Sequence, residues 1–260
     1  MRGAKLERKL EADEPVFGPF VMLPAPGLVE IAGLAAFDFV LLDMEHGPHG
    51  IETIEHMVRA ADAVDLPTIV RVPENSAGHI TRALDTGASG VCVPHVSTAA
   101  AAEMAVRAAK FAPAGERGVN AASRAARYAR LDAEEYFRRA NEEVMLVGQI
   151  EDREAVENLA EILEVEGMDV VFIGPYDLSQ SYGKLGQVED PELQELMRGA
   201  VRQCRAVGLA VGTFESEPEA IAVWMQEGVR LFTVGTDVNL FGDACREKVS
   251  NIQKAIEGRA

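Results

Sequence analysis

Two strand-like runs, VMLVGQIE (144–151) and DVVFIGPYD (169–177), each end on a carboxylate, Glu151 and Asp177. The segment between them has amphipathic helical spacing. A right-handed strand–helix–strand unit returns its second strand parallel to the first, with neighbouring strands about 4.8 Å apart. Both acids would then stand at the same end of one sheet. Two hard oxygen ligands, with room for water and a bidentate substrate, suit a divalent cation: magnesium or manganese first, with cobalt or zinc as further options. Acids also favour helix starts for purely electrostatic reasons, so from this unit alone the structural role stays open.

Other strand ends carry groups that such an ion would need beside it. Arg71 is the lone cation of the apolar run PTIVRVP (67–73). A guanidinium there must be paired, with Asp43, Glu45 or Glu74 within sequence reach, and it can also grip a carboxylate or a developing enolate oxygen with a two-pronged hydrogen bond. His46 follows Asp43 by three residues in DMEHG. An imidazole there exchanges protons near neutral pH, and the nearby carboxylate would orient it; capping the next helix is the structural alternative. His95 closes GVCVPHV (90–96) as a rival ligand or base. His49, His56 and His79 lie in or beside helices and are expected at the surface. Asp85 ends a helix before Gly87, where an acid opposes the helix dipole and so hints at a partner. Arg124, Arg127 and Arg130 could attract an anionic acceptor, but a solvated helix face is the simpler account.

The elements that must hold these groups alternate along the chain. Strands are predicted at 18–24, 37–43, 67–73, 90–96, 144–151, 169–177, 209–214 and 229–237. Helices are predicted at about 27–36, 51–64, 76–86, 98–110, between the two acid-ending strands, 191–207, 218–227 and 241–257. Runs apolar on both faces are what parallel strands covered by helices look like. Eight strand–helix units without a linker predict an α/β fold, one (β/α)8 TIM barrel over 1–260, whose strand ends converge on one mouth; a doubly wound open sheet is the alternative, but it does not explain the recurring polar strand ends. Residues 1–17 read as a charged lead-in and 112–141 as an insertion at that mouth.

Composition narrows the function. With 25 basic and 42 acidic side chains the formal charge is −17, which argues by repulsion against nucleic-acid or anionic-membrane partners. Three cysteines, Cys92, Cys204 and Cys245, have no metal or redox spacing. With no membrane-length apolar run and no signal-peptide core, a cytoplasmic protein with reduced thiols is expected.

The set LLDMEHGP, PTIVRVP, RALDTGASGVCVP, FAPAGERGV, GQIEDREAVENL and FIGPYDLS resembles the HpcH/HpaI family of metal-dependent class II 2-oxoacid aldolases. That family includes 2,4-dihydroxyhept-2-ene-1,7-dioate and 2-dehydro-3-deoxy-sugar-acid aldolases, and the likeness runs from about Gly18 to Asp237 in family order. The resemblance implies a barrel of the phosphoenolpyruvate/pyruvate type and reversible cleavage of a 4-hydroxy-2-oxoacid to pyruvate, or a related 2-oxoacid, and an aldehyde. Oxaloacetate decarboxylation, or another carbon–carbon lyase step through the same enolate, is the alternative; a non-catalytic oxoacid-binding barrel is a third. It also implies Glu151 and Asp177 as metal ligands, backbone amides of Gly174 and Tyr176 for the substrate carboxylate, and Gln149 beside them. Arg71 matches the enolate-stabilising arginine, His46 with Asp43 the proton carrier, and Asp85 an acid reaching the site across a subunit interface. Hexamers with an exchanged last helix are the expected assembly. Tyr176 stands where well-known members carry Ala and Phe20 where they carry Trp, so a different acceptor pocket is expected, with Phe214 as a further apolar wall. No lysine is placed to form a Schiff base.

Overall fold

In the computed structural model, which describes residues 3–257, eight parallel strands close a barrel in simple sequence order. The strands are β1 (Val16–Val21), β2 (Val40–Asp43), β3 (Thr68–Arg71), β4 (Gly90–Val93), β5 (Met145–Ile150), β6 (Val170–Ile173), β7 (Ala210–Phe214) and β8 (Leu231–Thr236). Helix α1 (Gly3–Glu11) precedes them. Around the outside follow α2 (Pro26–Leu34), α3 (Ile51–Ala63), α4 (Ala77–Asp85), α5 (Ala99–Ala109), α6 (Ala133–Glu143), α7 (Arg153–Glu157), α8 (Leu159–Leu163), α9 (Pro175–Ser181), α10 (Pro191–Ala206), α11 (Pro218–Glu227) and α12 (Asp237–Glu257).

The two-residue alternation of a strand divides the core into two layers. Val40, Leu42, Val70, Val91, Leu146, Val171 and Ile173 face outward into the shell beneath the helices. Phe39, Leu41, Ile69, Cys92, Met145, Val147, Val170 and Phe172 face inward and fill the barrel. Because both faces are apolar, the strands read as continuous hydrophobic runs, as expected of parallel sheet.

Three local features depart from the sequence reading. The charged lead-in is a helix: Leu6 and Leu10, spaced four apart, join the inner cluster, and Leu6 is 1% exposed. Burying each leucine is worth about 1.5–3 kcal/mol, so α1 plugs the floor of the barrel. The helix expected between β5 and β6 is two short ones broken at Asn158, whose side chain donates to the Ser97 carbonyl at 3.0 Å. The segment 112–141, expected at the mouth, lies at the opposite end. It leaves α5 and enters β5, so it must pass the N-terminal ends of the strands. There Lys110 Nζ donates to the Val144 carbonyl at 2.9 Å, and Arg124 donates to the Thr86 carbonyl at 2.6 Å.

Helix α12 buries little of its length. Among its described residues only Asp237 is buried, and it leaves Val238, Leu240, Phe241, Val249, Ile252 and Ile256 exposed. On α2, Ile31 and Leu34 are exposed as well. All three cysteines are unpaired, and no helix among the described residues is long and apolar enough to cross a membrane.

Candidate active site

Followed upward, the inward rows turn polar at the mouth. Leu41 is succeeded by Asp43, Ile69 by Arg71, and Val147 by Gln149 and then Glu151. The β2–β3 register makes Asp43 and Arg71 direct partners. Their side chains therefore meet: Arg71 Nε donates to Asp43 Oδ1 at 2.9 Å and Nη2 to Oδ2 at 2.6 Å. Arg71 Nη1 stands 3.1 Å from Glu45 Oε2, and the guanidinium carbon lies 4.7 Å from the centre of the Phe20 ring. Burial works against the charge of Arg71, but the Asp43 hydrogen bonds and the two acids outweigh it and raise its pKa. The guanidinium is thus a fixed cation with donors to spare, since only some of its five N–H groups are engaged.

Asp43 also organises the loop that follows. Its Oδ1 accepts from the amides of Glu45 at 3.0 Å and His46 at 3.3 Å. The carboxylate therefore reaches His46 through the main chain; the expected contact with the imidazole ring is not made. The ring itself is placed at the mouth, where it lines a cavity of about 300 Å³ with Phe20, Met22, Asp43, Arg71, Gln149, Phe172, Pro175, Tyr176, Asp177, Phe214 and Thr236.

Glu151 sits just behind this cavity, 2% exposed. One oxygen, Oε1, accepts from the His95 amide at 2.8 Å and lies 3.0 Å from His95 Nδ1; the other is held by Gln149 Nε2. Burial pushes its carboxyl up to about 7, partly opposed by His95 and reinforced by the negative charges of Asp177 and Glu45. Three acids converge here with too little positive charge among them. A cation would relieve that repulsion, and two carboxylates are a donor set that hard divalent ions accept while leaving positions for water and substrate oxygens. Among the described residues no cluster of three or more His, Cys, Asp and Glu could enclose an ion, so Glu151 and Asp177 would hold one on an open face.

An apolar wall completes the mouth. Phe214 lies between Phe20, 6.1 Å away, and Tyr176, 5.8 Å away, and Tyr176 is 53% exposed. Phe172 meets Phe20 edge-on at 6.4 Å.

Other expected residues fall elsewhere. The amide of Gly174 donates to the Ile150 carbonyl at 3.0 Å, continuing the β5–β6 ladder, so it is not available to a substrate carboxylate. What Gly174 contributes is space, since a Cβ there would come within 3.1 Å of both Glu151 Oε2 and Gln149 Nε2. The amides of Tyr176 and Asp177 belong to the first turn of α9 and have no carbonyl within the helix. Asp85 stands at the far end of α4, paired with Arg117 at 2.8 Å; within one chain it does not join the site. His49, expected at the surface, is buried, with Nε2 3.1 Å from the Val21 carbonyl. Asp237 accepts from the amides of Met22 and Leu23 at 2.9 and 3.0 Å, clasping the end of β1 to that of β8. Met22, Phe172 and Thr236 at the mouth were missed by sequence reasoning; the inward alternation of their strands is the signal that finds Phe172. A larger hollow, about 650 Å³, opens at the opposite end beside Lys5, Arg124 and Arg127. Asp62 pairs with Arg124 there, and Ser89, the residue before β4, lines it from the N-terminal side of the strands.

The HpcH/HpaI aldolase/citrate lyase family matches residues 17–244. A 2-keto-3-deoxy-L-rhamnonate aldolase of Escherichia coli is 34% identical over 253 residues, covering 97% of this chain and 94% of that protein. Among solved structures, an HpcH/HpaI aldolase/citrate lyase family protein from Burkholderia cenocepacia superposes with a TM-score of 0.90 at 32% identity, over 96% of this chain and 99% of that one. The citrate synthase SbnG follows at 0.89 and 30% identity, over 97% and 98%.

Proposed function

The chain belongs to the HpcH/HpaI aldolase/citrate lyase family and is a carbon–carbon lyase, and on that premise we propose that the cavity at the mouth cleaves a 4-hydroxy-2-oxoacid reversibly to pyruvate, or a related 2-oxoacid, and an aldehyde. The convergence of Asp177, Gln149, Arg71 and His46 on one cavity, with Glu151 behind it, carries this reading. Glu151 and Asp177 are the residues that would hold the divalent metal, magnesium or manganese by their hard oxygen donors. When bound, such an ion supplies Lewis-acid polarisation of the 2-oxo group.

The remaining work falls to the chain itself. His46 takes the proton of the 4-hydroxyl as the C3–C4 bond breaks; the C4 oxygen becomes the aldehyde carbonyl, and the bond pair moves toward C2 and its oxygen. Arg71 offers its uncommitted N–H groups to the negative charge that gathers on that oxygen. It is pre-aimed by Asp43 and Glu45, so no reorganisation is needed as charge develops. Gln149, and the amide of Tyr176, orient the substrate carboxylate. The apolar wall of Phe20, Phe214 and Tyr176 excludes water and receives the aldehyde.

The test is pyruvate release from a panel of 4-hydroxy-2-oxoacids, including 2-keto-3-deoxy-L-rhamnonate, with and without chelator. Turnover that is lost to chelator and restored by manganese supports the reading; turnover indifferent to chelator overturns it. Similarity to a citrate synthase favours one second reading, carbon–carbon chemistry on oxaloacetate, and oxaloacetate consumption in the same assay distinguishes it.

Space behind the site matters too. Gly174→Ala should keep the fold, since the glycine's φ of −87° suits any residue, but should press on Glu151 and Gln149. A tenfold or larger loss of manganese affinity is expected, of the order that disturbed supporting contacts cost, measured by calorimetric titration.

We further propose that the chain works as a homo-oligomer, a hexamer by family resemblance, in which α12 crosses to a neighbour and covers apolar surface such as Ile31 and Leu34. Asp85, remote within one chain, would then approach a neighbouring site. Phe241, 66% exposed, tests this: Phe241→Asp costs a lone protomer nothing, yet light scattering should show a smaller particle.

A further inference from the structure

We propose that His95 is a positioning residue for the Glu151 carboxylate, the group that holds it in the orientation a divalent cation requires; the inference rests on the metal reading of Glu151. The observation is a doubled contact. The His95 amide donates to Glu151 Oε1 at 2.8 Å, and the ring nitrogen Nδ1 stands 3.0 Å from the same oxygen. Both groups reach that atom from a backbone in the left-handed region, with φ of +53° at His95, a conformation that L-residues seldom adopt. The turn is secured on either side. The Val96 amide donates to the Gln149 carbonyl at 3.0 Å, the Ser97 amide to the His95 carbonyl at 3.0 Å, and Ser97 Oγ to Asp152 at 2.6 Å.

The ring does little else. Its side chain is 61% exposed, so it adds no core packing, and its other nitrogen lies 3.7 Å from Glu45 Oε1. On the opposite side Gln149 holds Oε2, and Gln149 is itself fixed by Cys92 Sγ, 3.6 Å from its Oε1. Glu151 is therefore gripped from both sides, one grip buried and the other supplied by His95 at the solvent edge. Carboxylate ligands are ordinarily oriented by such hydrogen bonds, and losing one typically costs about 10–100-fold in metal affinity.

Glycine and asparagine separate the backbone from the ring. His95→Gly retains the amide and accepts the positive φ, removing only the ring. His95→Asn places an amide nitrogen where Nδ1 stood and also tolerates the left-handed region. Manganese is titrated calorimetrically into the full-length protein and each variant, with thermal melts confirming folding. We expect His95→Gly to bind manganese about tenfold or more weakly and His95→Asn to stay within about threefold of the parent. Parental affinity in His95→Gly, or equal weakening in both variants, overturns the proposal. Glu151→Gln serves as the reference: if it too binds like the parent, the metal reading itself fails and this proposal fails with it.

Discussion

Glu151→Gln is expected to abolish metal-dependent turnover while leaving the barrel folded, and Asp177→Asn to do the same. Glutamine fills the same volume and can still accept from the His95 amide, but it brings no charge for a cation. The folded protein should tolerate the change well. In the metal-free state an ionised Glu151 is buried beside the negative charges of Asp177 and Glu45, so a neutral side chain removes repulsion. The melting temperature of metal-free Glu151→Gln should stay near the parent's, the relief of repulsion offsetting the lost acceptor for Gln149, while pyruvate release falls to background and manganese binding is lost. Full activity in either variant would sink the metal assignment.

Arg71→Lys is expected to lower kcat by about a hundredfold, roughly 2.7 kcal/mol of barrel-mouth electrostatics by the usual conversion. Lysine keeps the charge but loses the planar fork. In the structure two arms of that fork lock onto Asp43 and the third faces Glu45; an ammonium cannot satisfy this geometry and still present donors to the reacting oxygen. Steady-state kinetics decide the point. A fall in kcat at little-changed KM marks a group acting on developing charge, whereas an unchanged rate returns Arg71 to a structural partner of Asp43 and Glu45. The buried pair also predicts a lower melting temperature, because half of a buried ion pair is left mismatched.

Much of the fold was legible because parallel strands buried on both faces stand out as apolar runs, and eight of them closed in order. The polar strand ends were legible for the same reason: Asp43, Arg71 and Glu151 interrupt rows that are otherwise hydrophobic. Less visible were features that depend on contacts remote in sequence. Helix α1 hides two core leucines among charges, and only the four-residue spacing of Leu6 and Leu10 betrays it. The burial of His49 follows from a carbonyl on β1, far away along the chain. The family resemblance gives the Gly174 amide to the substrate, but sheet pairing claims it first, because the parallel ladder extends one residue past β6. Segment 112–141 lies at the N-terminal ends of the strands and not at the mouth, because it follows a helix and leads into a strand.

The charged groups and the aromatic ones occupy separate sectors of the mouth. Asp43, Arg71, His95 and Glu151 come from the ends of β2 to β5, while Phe172, Tyr176, Phe214 and Phe20 come from β6, α9, β7 and β1. Asp177 stands at the boundary. Such a partition leaves one sector free to change without disturbing the other: exchanging a ring on β7 or α9 breaks no hydrogen bond of the Asp43–Arg71–Glu45 network, and on the proposed reading it should alter which aldehyde fits. On that reading a lineage built on this barrel would drift between substrates by single aromatic replacements while its polar sector is inherited unchanged.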